Sequence, residues 1–125
     1  MDDQTIIDRV KSEYADAVKF DKTQMNDVFE RFSQRRAEEY SLEENDANMQ
    51  TAGWLHGNSI ASNIKKKKLS GKKVKFHKDK AGVEKYLCDT FEQSGAIVDS
   101  TIENLTIGYL QAMNEAEKHL QSHMS

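Results

Sequence analysis

The chain contains no proline, and only six of its 125 residues are glycine. Proline lacks a backbone donor and breaks helices, and a chain with many loops and turns normally uses some of it. Its absence therefore favours long helices joined by few connections. Because this length is typical of one domain with one core, we predict a single helical domain over 1–125, with a frayed tail at 121–125.

Cysteine and long apolar runs are also scarce. The single cysteine, Cys88, excludes an internal disulfide and a zinc site of several thiolates, and it favours a reducing, cytoplasmic compartment. We interpret Cys88 as a small buried apolar residue rather than a catalytic thiol. No apolar run approaches the roughly 20 residues of a membrane span, and the acidic start, Met1-Asp2-Asp3, is unlike a secretory signal peptide. We therefore expect no membrane partner.

Apolar residues recur at the 3.6-residue period of an amphipathic helix in three stretches. These are residues 4–40, residues 47–64 and residues 80–122. The serine and glycine at 94–95 interrupt the last stretch, and we expect a kink or turn there. The pattern predicts an all-α fold, an elongated bundle of three to five helices. Its long apolar faces also favour a homodimer.

Small polar residues mark the expected helix boundaries. The stretch 20–23 favours a break in the first helical region, with Thr23 capping the helix that follows. Ser41 with Glu44 has the spacing of a capping box at the start of the second region. Asp79 has the position of a cap for the third.

The middle region contains two glycines and a Trp-His pair. Gly53, Gly57 and Ala61 lie four residues apart, so on a helix they form a stripe that lets another backbone come close. Alternatively, the two glycines mark a turn. We interpret Trp54 as a core anchor and His56 as pointing to water; the alternative is a small-molecule pocket lined by both.

Charge is strongly segregated along the chain. Residues 65–85 hold ten lysines against two acidic residues, a net charge of +8, whereas the remaining residues hold eight basic and nineteen acidic side chains, a net charge of −11. Lys65–Lys68 is an unbroken run, followed by a Ser-Gly pair and an alternating stretch that ends at Phe76. We predict a basic hairpin or loop over 65–78.

Clustered lysine is the electrostatic pattern of a phosphate-backbone contact. We predict a non-catalytic protein that binds an anionic partner, most simply nucleic acid, and aromatics among the lysines would stack on unpaired bases. No arginine follows Arg36, which argues against base-specific recognition. The predicted binding residues are Lys65, Lys66, Lys67, Lys68, Lys72, Lys73, Lys75, Phe76, Lys78 and Lys80.

Other interpretations of the lysines stay open. They are a solvated face, a protection of an edge strand against pairing, or a surface that docks on the acidic face of a second copy. The main alternative function is a protein–protein interaction module, such as a regulator, inhibitor or assembly factor, that binds through its helix faces.

Evidence for catalysis or a metal is weak. His119 and His123 are four residues apart, with Glu115 four before them, but such pairs in a tail arise by chance. We interpret the acidic residues Glu38, Glu39, Glu43, Glu44 and Asp46 as a solvated helix end. The sequence contains no phosphate-binding glycine loop, no nucleophile elbow and no cysteine–histidine pattern. We expect neither an enzyme nor a cofactor or metal site.

Overall fold

The computed structural model describes the backbone of residues 2–91 and 100–124, and their side chains through residue 122. The described ranges form five α-helices and no strand, which confirms the predicted all-α bundle. A 3-10 turn at Lys22–Gln24 separates the first two helices. The helices are α1 (Asp3–Val18), α2 (Met25–Tyr40), α3 (Glu44–Leu69), α4 (Lys80–Thr90) and α5 (Ser100–Met124). Helix α5 therefore runs through most of the segment expected to be frayed.

The predicted break within 20–23 is confirmed. Helix α1 ends where Lys19 adopts the left-handed conformation (φ 55°) and its amide donates to the Ala15 carbonyl. The new turn is capped by Asp21 rather than by Thr23, because the Asp21 carboxylate accepts the Thr23 amide at 2.9 Å. Aspartate is a better N-cap than threonine, and Asp21 lies two residues earlier in the chain.

The predicted capping box at Ser41 is wrong. Ser41 is left-handed (φ 54°) and closes α2, so its side chain does not begin α3. The residue before α3 is Glu43, whose acidic group lies near the helix N-terminus, where the helix dipole favours negative charge. The predicted cap at Asp79 is confirmed, since its carboxylate accepts the Gly82 amide at 2.9 Å. The expected kink at 94–95 lies outside the described residues.

Glycines allow α3 and α5 to pack with their backbones nearly touching. A β-carbon built at Gly53 would fall on the backbone of Leu105, and one at Gly57 would lie 3.1 Å from the Tyr109 carbonyl. From the opposite helix, a β-carbon at Gly108 would fall on the Gln50 carbonyl. The close-packing interpretation of the glycine stripe is thus confirmed, and the turn interpretation is wrong.

Contacts along α3 and α5 advance in the same order, so the two helices run parallel. Near the start of both helices, the Gln50 amide donates to the Asn104 side chain at 3.0 Å. Near their ends, Lys68 and Gln121 line one groove. The C-terminal ends of both long helices therefore lie at the same end of the molecule.

The predicted basic hairpin or loop over 65–78 is partly correct, since a loop is present but the segment begins within a helix. Lys65–Lys68 belongs to the last turns of α3, and residues 72–79 form a loop rather than a hairpin. Lysine is a good helix former, and its charge suits the C-terminal end of the helix dipole. The helix closes at Gly71 (φ 85°), where the Lys72 amide donates to the Lys67 carbonyl at 3.0 Å. The alternating stretch then directs buried Phe76 into the core.

Replacing Gly108 with alanine tests the contact between the two backbones. Because the new methyl group would overlap the Gln50 carbonyl, we expect the free energy of unfolding to fall by roughly 1–3 kcal/mol or more. Urea denaturation followed by circular dichroism measures this loss. The control is Asn63→Ala on the exposed face of α3, which should change stability by about 0.5 kcal/mol or less. Equal stability of the two variants would contradict the close approach.

Candidate functional site

The predicted lysines gather at the end of the molecule where α3 and α5 terminate. We call this surface the basic end and define it as Lys65–Lys68, Lys72, Lys73, Lys75, Lys78 and Lys80. These residues occupy the last turns of α3, the loop over 72–79 and the first residue of α4. Seven of the nine side chains are exposed, and Lys65 and Lys68 are partly exposed. The chain fold therefore presents the charges together, although they come from three different elements.

A groove of about 550 Å³ runs through the basic end, between the loop and the ends of α3 and α5. Its lining includes four lysines, Lys68, Lys72, Lys73 and Lys75. Glu117 is the only acidic residue among the described lining residues, and it accepts a hydrogen bond from Lys78 at 2.6 Å. The four lining ammonium groups thus share a concave surface whose one carboxylate already has a cationic partner.

The lysines of the basic end contact few carboxylates. Among the described residues, Lys78 is the only one of the nine that forms an ion pair. Outside the basic end, Arg9 on α1 pairs with Glu13 at 2.7 Å, and Lys22 in the 3-10 turn pairs with Asp16 at 3.0 Å. The local positive charge is therefore mostly not neutralised within the described structure.

Phe76 does not belong to the exposed site. Its ring is only 6% exposed, and the Lys68 ammonium lies 5.5 Å from the ring centroid. A base cannot stack on a ring that is buried, so the proposed role of Phe76 in stacking is wrong. Of the other two aromatic side chains near the cluster, Tyr86 is half-buried with its hydroxyl on His56, whereas His77 is exposed in the loop. Burial therefore removes Phe76, but not His77, from the accessible surface of the basic end.

His56 is buried, so the expectation that it points to water is wrong. Its side chain is 3% exposed; Nδ1 lies 3.1 Å from a Glu13 carboxylate oxygen, and Nε2 lies 2.8 Å from the Tyr86 hydroxyl. Since a carboxylate only accepts, Nδ1 carries a proton. The imidazole therefore joins α1, α3 and α4. The sequence contained a sign of this burial, because His56 is four residues from both Ala52 and Ile60, and residues four apart share one face of a helix.

The environment of Glu13 alters its acidity. Burial by itself would raise the pKa of the carboxyl, but the hydrogen bonds from His56 and Arg9 favour the ionised form more strongly. The net result is a pKa below the usual value. Burial raises the pKa of Tyr86, so the phenol stays protonated and able to donate to the imidazole. We interpret the three groups as a structural link, since none of the described pockets is lined by them.

Trp54 lies on the other side of α3 and does not share a pocket with His56. It is half-buried, and its indole N–H donates to Glu115 on α5 at 2.9 Å. It helps to line a cavity of about 210 Å³ between α2, α3 and α5, together with the aromatic rings of Phe32 and Tyr40. The sequence located the aromatic anchor but gave no sign of this cavity, because its walls come from three distant segments.

The pair of His119 and His123, considered above as a metal site, gains no support from the geometry. His119 is exposed on α5, while the side chain of His123 lies outside the described residues. Within the described ranges, no group of three or more histidine, cysteine, aspartate or glutamate side chains is arranged to hold a metal ion.

None of the helices in the described ranges is both long and apolar enough to cross a bilayer.

Comparisons with family models, with curated proteins and with solved structures find no match for this chain.

The lowered pKa of Glu13 predicts how stability depends on pH. A carboxyl whose pKa is lower in the folded state stabilises the protein above its unfolded pKa, and this contribution is lost as pH falls through the folded pKa. We therefore expect Glu13→Gln to be less stable than the wild type near neutral pH, and the gap to shrink below about pH 4.5, the ordinary value. Urea titrations at a series of pH values measure the gap.

Glu30→Gln is the matched control, because Glu30 is exposed on α2. Its stability should differ little from that of the wild type across the same pH range. A deficit of Glu13→Gln that stayed constant from neutral pH to well below the ordinary carboxyl pKa would show that ionisation of Glu13 contributes nothing.

Proposed function

We propose that this protein is a non-catalytic binding protein that holds a nucleic acid by its phosphate backbone at the basic end. One observation carries the proposal. The lysines line and surround a groove, and only Lys78 among them has a carboxylate partner within the described structure. A surface with this much unneutralised charge attracts a polyanion. Binding gains free energy because the counterions that were condensed on the nucleic acid are released.

Two features favour contact with phosphates over contact with bases. The basic end contains no arginine, the residue whose planar fork recognises base edges, whereas an ammonium group acts as a point charge toward phosphate. Phe76, which sequence alone offered as a stacking ring, supports the loop from inside the core. We therefore expect binding with little sequence preference and a strong dependence on salt.

An acidic protein surface is the second candidate partner, and Leu69 favours it. This side chain is 70% exposed in the midst of the lysines, at the last residue of α3. A phosphate backbone offers an exposed leucine nothing to pack against, whereas a protein partner offers an apolar pocket surrounded by carboxylates. The two candidates therefore differ in how binding depends on Leu69.

Double lysine variants test the nucleic-acid proposal. Lys72→Gln/Lys73→Gln removes two charges from the groove without touching the helices. Because each phosphate contact contributes about 0.9 to the salt slope, we expect the slope of log K against log salt to become shallower by about 2. Gel-shift or anisotropy titrations with single-stranded and duplex DNA and RNA, across a salt series, measure this slope. Replacing Lys65–Lys68 together by glutamine should abolish binding.

The matched control is Lys19→Gln/Arg31→Gln, which removes two exposed charges outside the basic end. It should keep the wild-type affinity and slope, apart from a small effect of net charge. The absence of any nucleic-acid complex at low salt would refute the proposal, as would equal losses in the two double variants. Capture of one acidic protein that resists moderate salt and is lost in Leu69→Ser would favour the second candidate.

The homodimer and the cytoplasmic location remain predictions from the sequence. Sedimentation velocity of the free protein measures the oligomeric state. The same run with an oligonucleotide gives the stoichiometry of the complex, which a dimer would double.

A further inference from the structure

The cavity beside Trp54 contains a cation without a counter-charge. The guanidinium group of Arg36, on α2, is partly buried and donates to the side-chain oxygen of Gln50 on α3 at 3.0 Å. It also donates to the side-chain oxygen of Gln111 on α5 and lies 5.2 Å from the ring centroid of Tyr40. Among the described residues, no carboxylate lies within ion-pair distance of Arg36.

This guanidinium group is held in place by neutral partners. Gln50 donates onward to Asn104 at 3.0 Å, and Asn104 donates to Asp46 at 3.0 Å, so the orientation of the amide oxygen is fixed. A guanidinium has five N–H donors, and two of them are engaged by the glutamines. A partly buried charge that retains free donors and meets no anion is costly unless something else neutralises it. The arrangement is thus preorganised for an anion.

The walls of the cavity are aromatic. Phe32 packs edge-on against Trp54, with centroids 5.4 Å apart and planes at 80°. The indole is fixed by its hydrogen bond to Glu115, and Tyr40 forms the outer side, with half of its surface exposed. These rings line part of an open cavity of about 210 Å³, which suits a small flat molecule rather than a polymer.

Thr51 leaves an unsatisfied polar group beside the cavity. It is only 2% exposed, it lines the cavity, and its hydroxyl has no hydrogen-bond partner among the residues that the structure describes. A buried hydroxyl without a partner is costly, and native proteins seldom leave one unexplained. The hydroxyl oxygen is itself covered by protein atoms, so it marks an unsatisfied wall of the cavity rather than a contact point for a ligand.

We propose that this cavity binds a small monocarboxylate with a flat apolar body. The carboxylate would pair with the Arg36 guanidinium, and the body would lie between the aromatic walls. Arg35 also lines the cavity, and Glu39 and Glu115 balance the charges of the two arginines, so a single negative charge is favoured over a phosphate dianion. The site is separate from the basic end, since Arg36 contacts Gln50 in the first turns of α3, whereas the lysines lie in its last turns.

The protein contains one tryptophan, so its intrinsic fluorescence reports directly on the cavity. We expect benzoate and phenylacetate to change the emission in a saturable manner. Benzyl alcohol and benzylammonium have similar ring bodies without the negative charge, and they should bind at least tenfold more weakly. Phenyl phosphate separates a carboxylate site from a general anion site, and it too should bind more weakly. Equal responses to benzoate and benzyl alcohol, or no saturable response to either carboxylate, would overturn the proposal.

Arg36→Lys is the decisive variant, because it keeps the positive charge but loses the planar guanidinium group that can donate two parallel hydrogen bonds to a carboxylate. We expect the affinity for benzoate to fall about tenfold, while the thermal melt confirms that the fold is intact. Arg31→Gln, an exposed change on the same helix, should bind benzoate like the wild type. Equal benzoate affinity in Arg36→Lys and Arg31→Gln would show that Arg36 does not hold the ligand. Nucleic-acid binding, measured in parallel, should be unchanged in both variants, so failure here is distinct from failure at the basic end.

Discussion

The approach of the α3 and α5 backbones, made possible by three glycines, is the contact on which the other features of the molecule depend. Gly53 and Gly57 on one helix and Gly108 on the other leave no room for a methyl group. Dispersion and apolar burial grow as backbones approach, which offsets the conformational entropy that glycine loses in a helix. Because the two helices run parallel, their C-terminal ends and the lysines of α3 come together at one end of the molecule.

Polar side chains fix how the outer helices sit on this pair. Glu13, His56 and Tyr86 join three helices through one imidazole, and the chain of amides from Arg36 through Gln50 joins α2 to α3 and α5. Buried networks of this kind specify one arrangement when every member is satisfied. Here they also divide the surroundings of α3, with a satisfied histidine on one side and an arginine that lacks a counter-charge on the other.

The proposed binding surfaces follow different physical principles. The basic end is mostly exposed, and its attraction acts at long range and weakens with salt. The cavity beside Trp54 is small, and its charge is partly buried, so its attraction acts at short range and depends on shape. Charged residues make up 31% of the protein, and most of them lie in solvent. The partly buried guanidinium of Arg36 lies instead in the aromatic cavity.

Local periodicity and composition determined the all-α class, the break near residue 20, the cap at Asp79 and the concentration of positive charge, since each depends on neighbours within a few residues. They placed Lys65–Lys68 in a hairpin or loop, whereas helix propensity and the helix dipole favoured a longer α3. They also predicted that His56 is exposed to water, although its spacing from Ala52 and Ile60 places it on the apolar face of the helix. Only the tertiary structure decided which loop shares a groove with α5 and that Phe76 is buried. It also decided that Arg36, Trp54 and Thr51 line the same cavity. Those relations join segments far apart in the chain, and such contacts arise from packing, which has no short-range signature in a sequence.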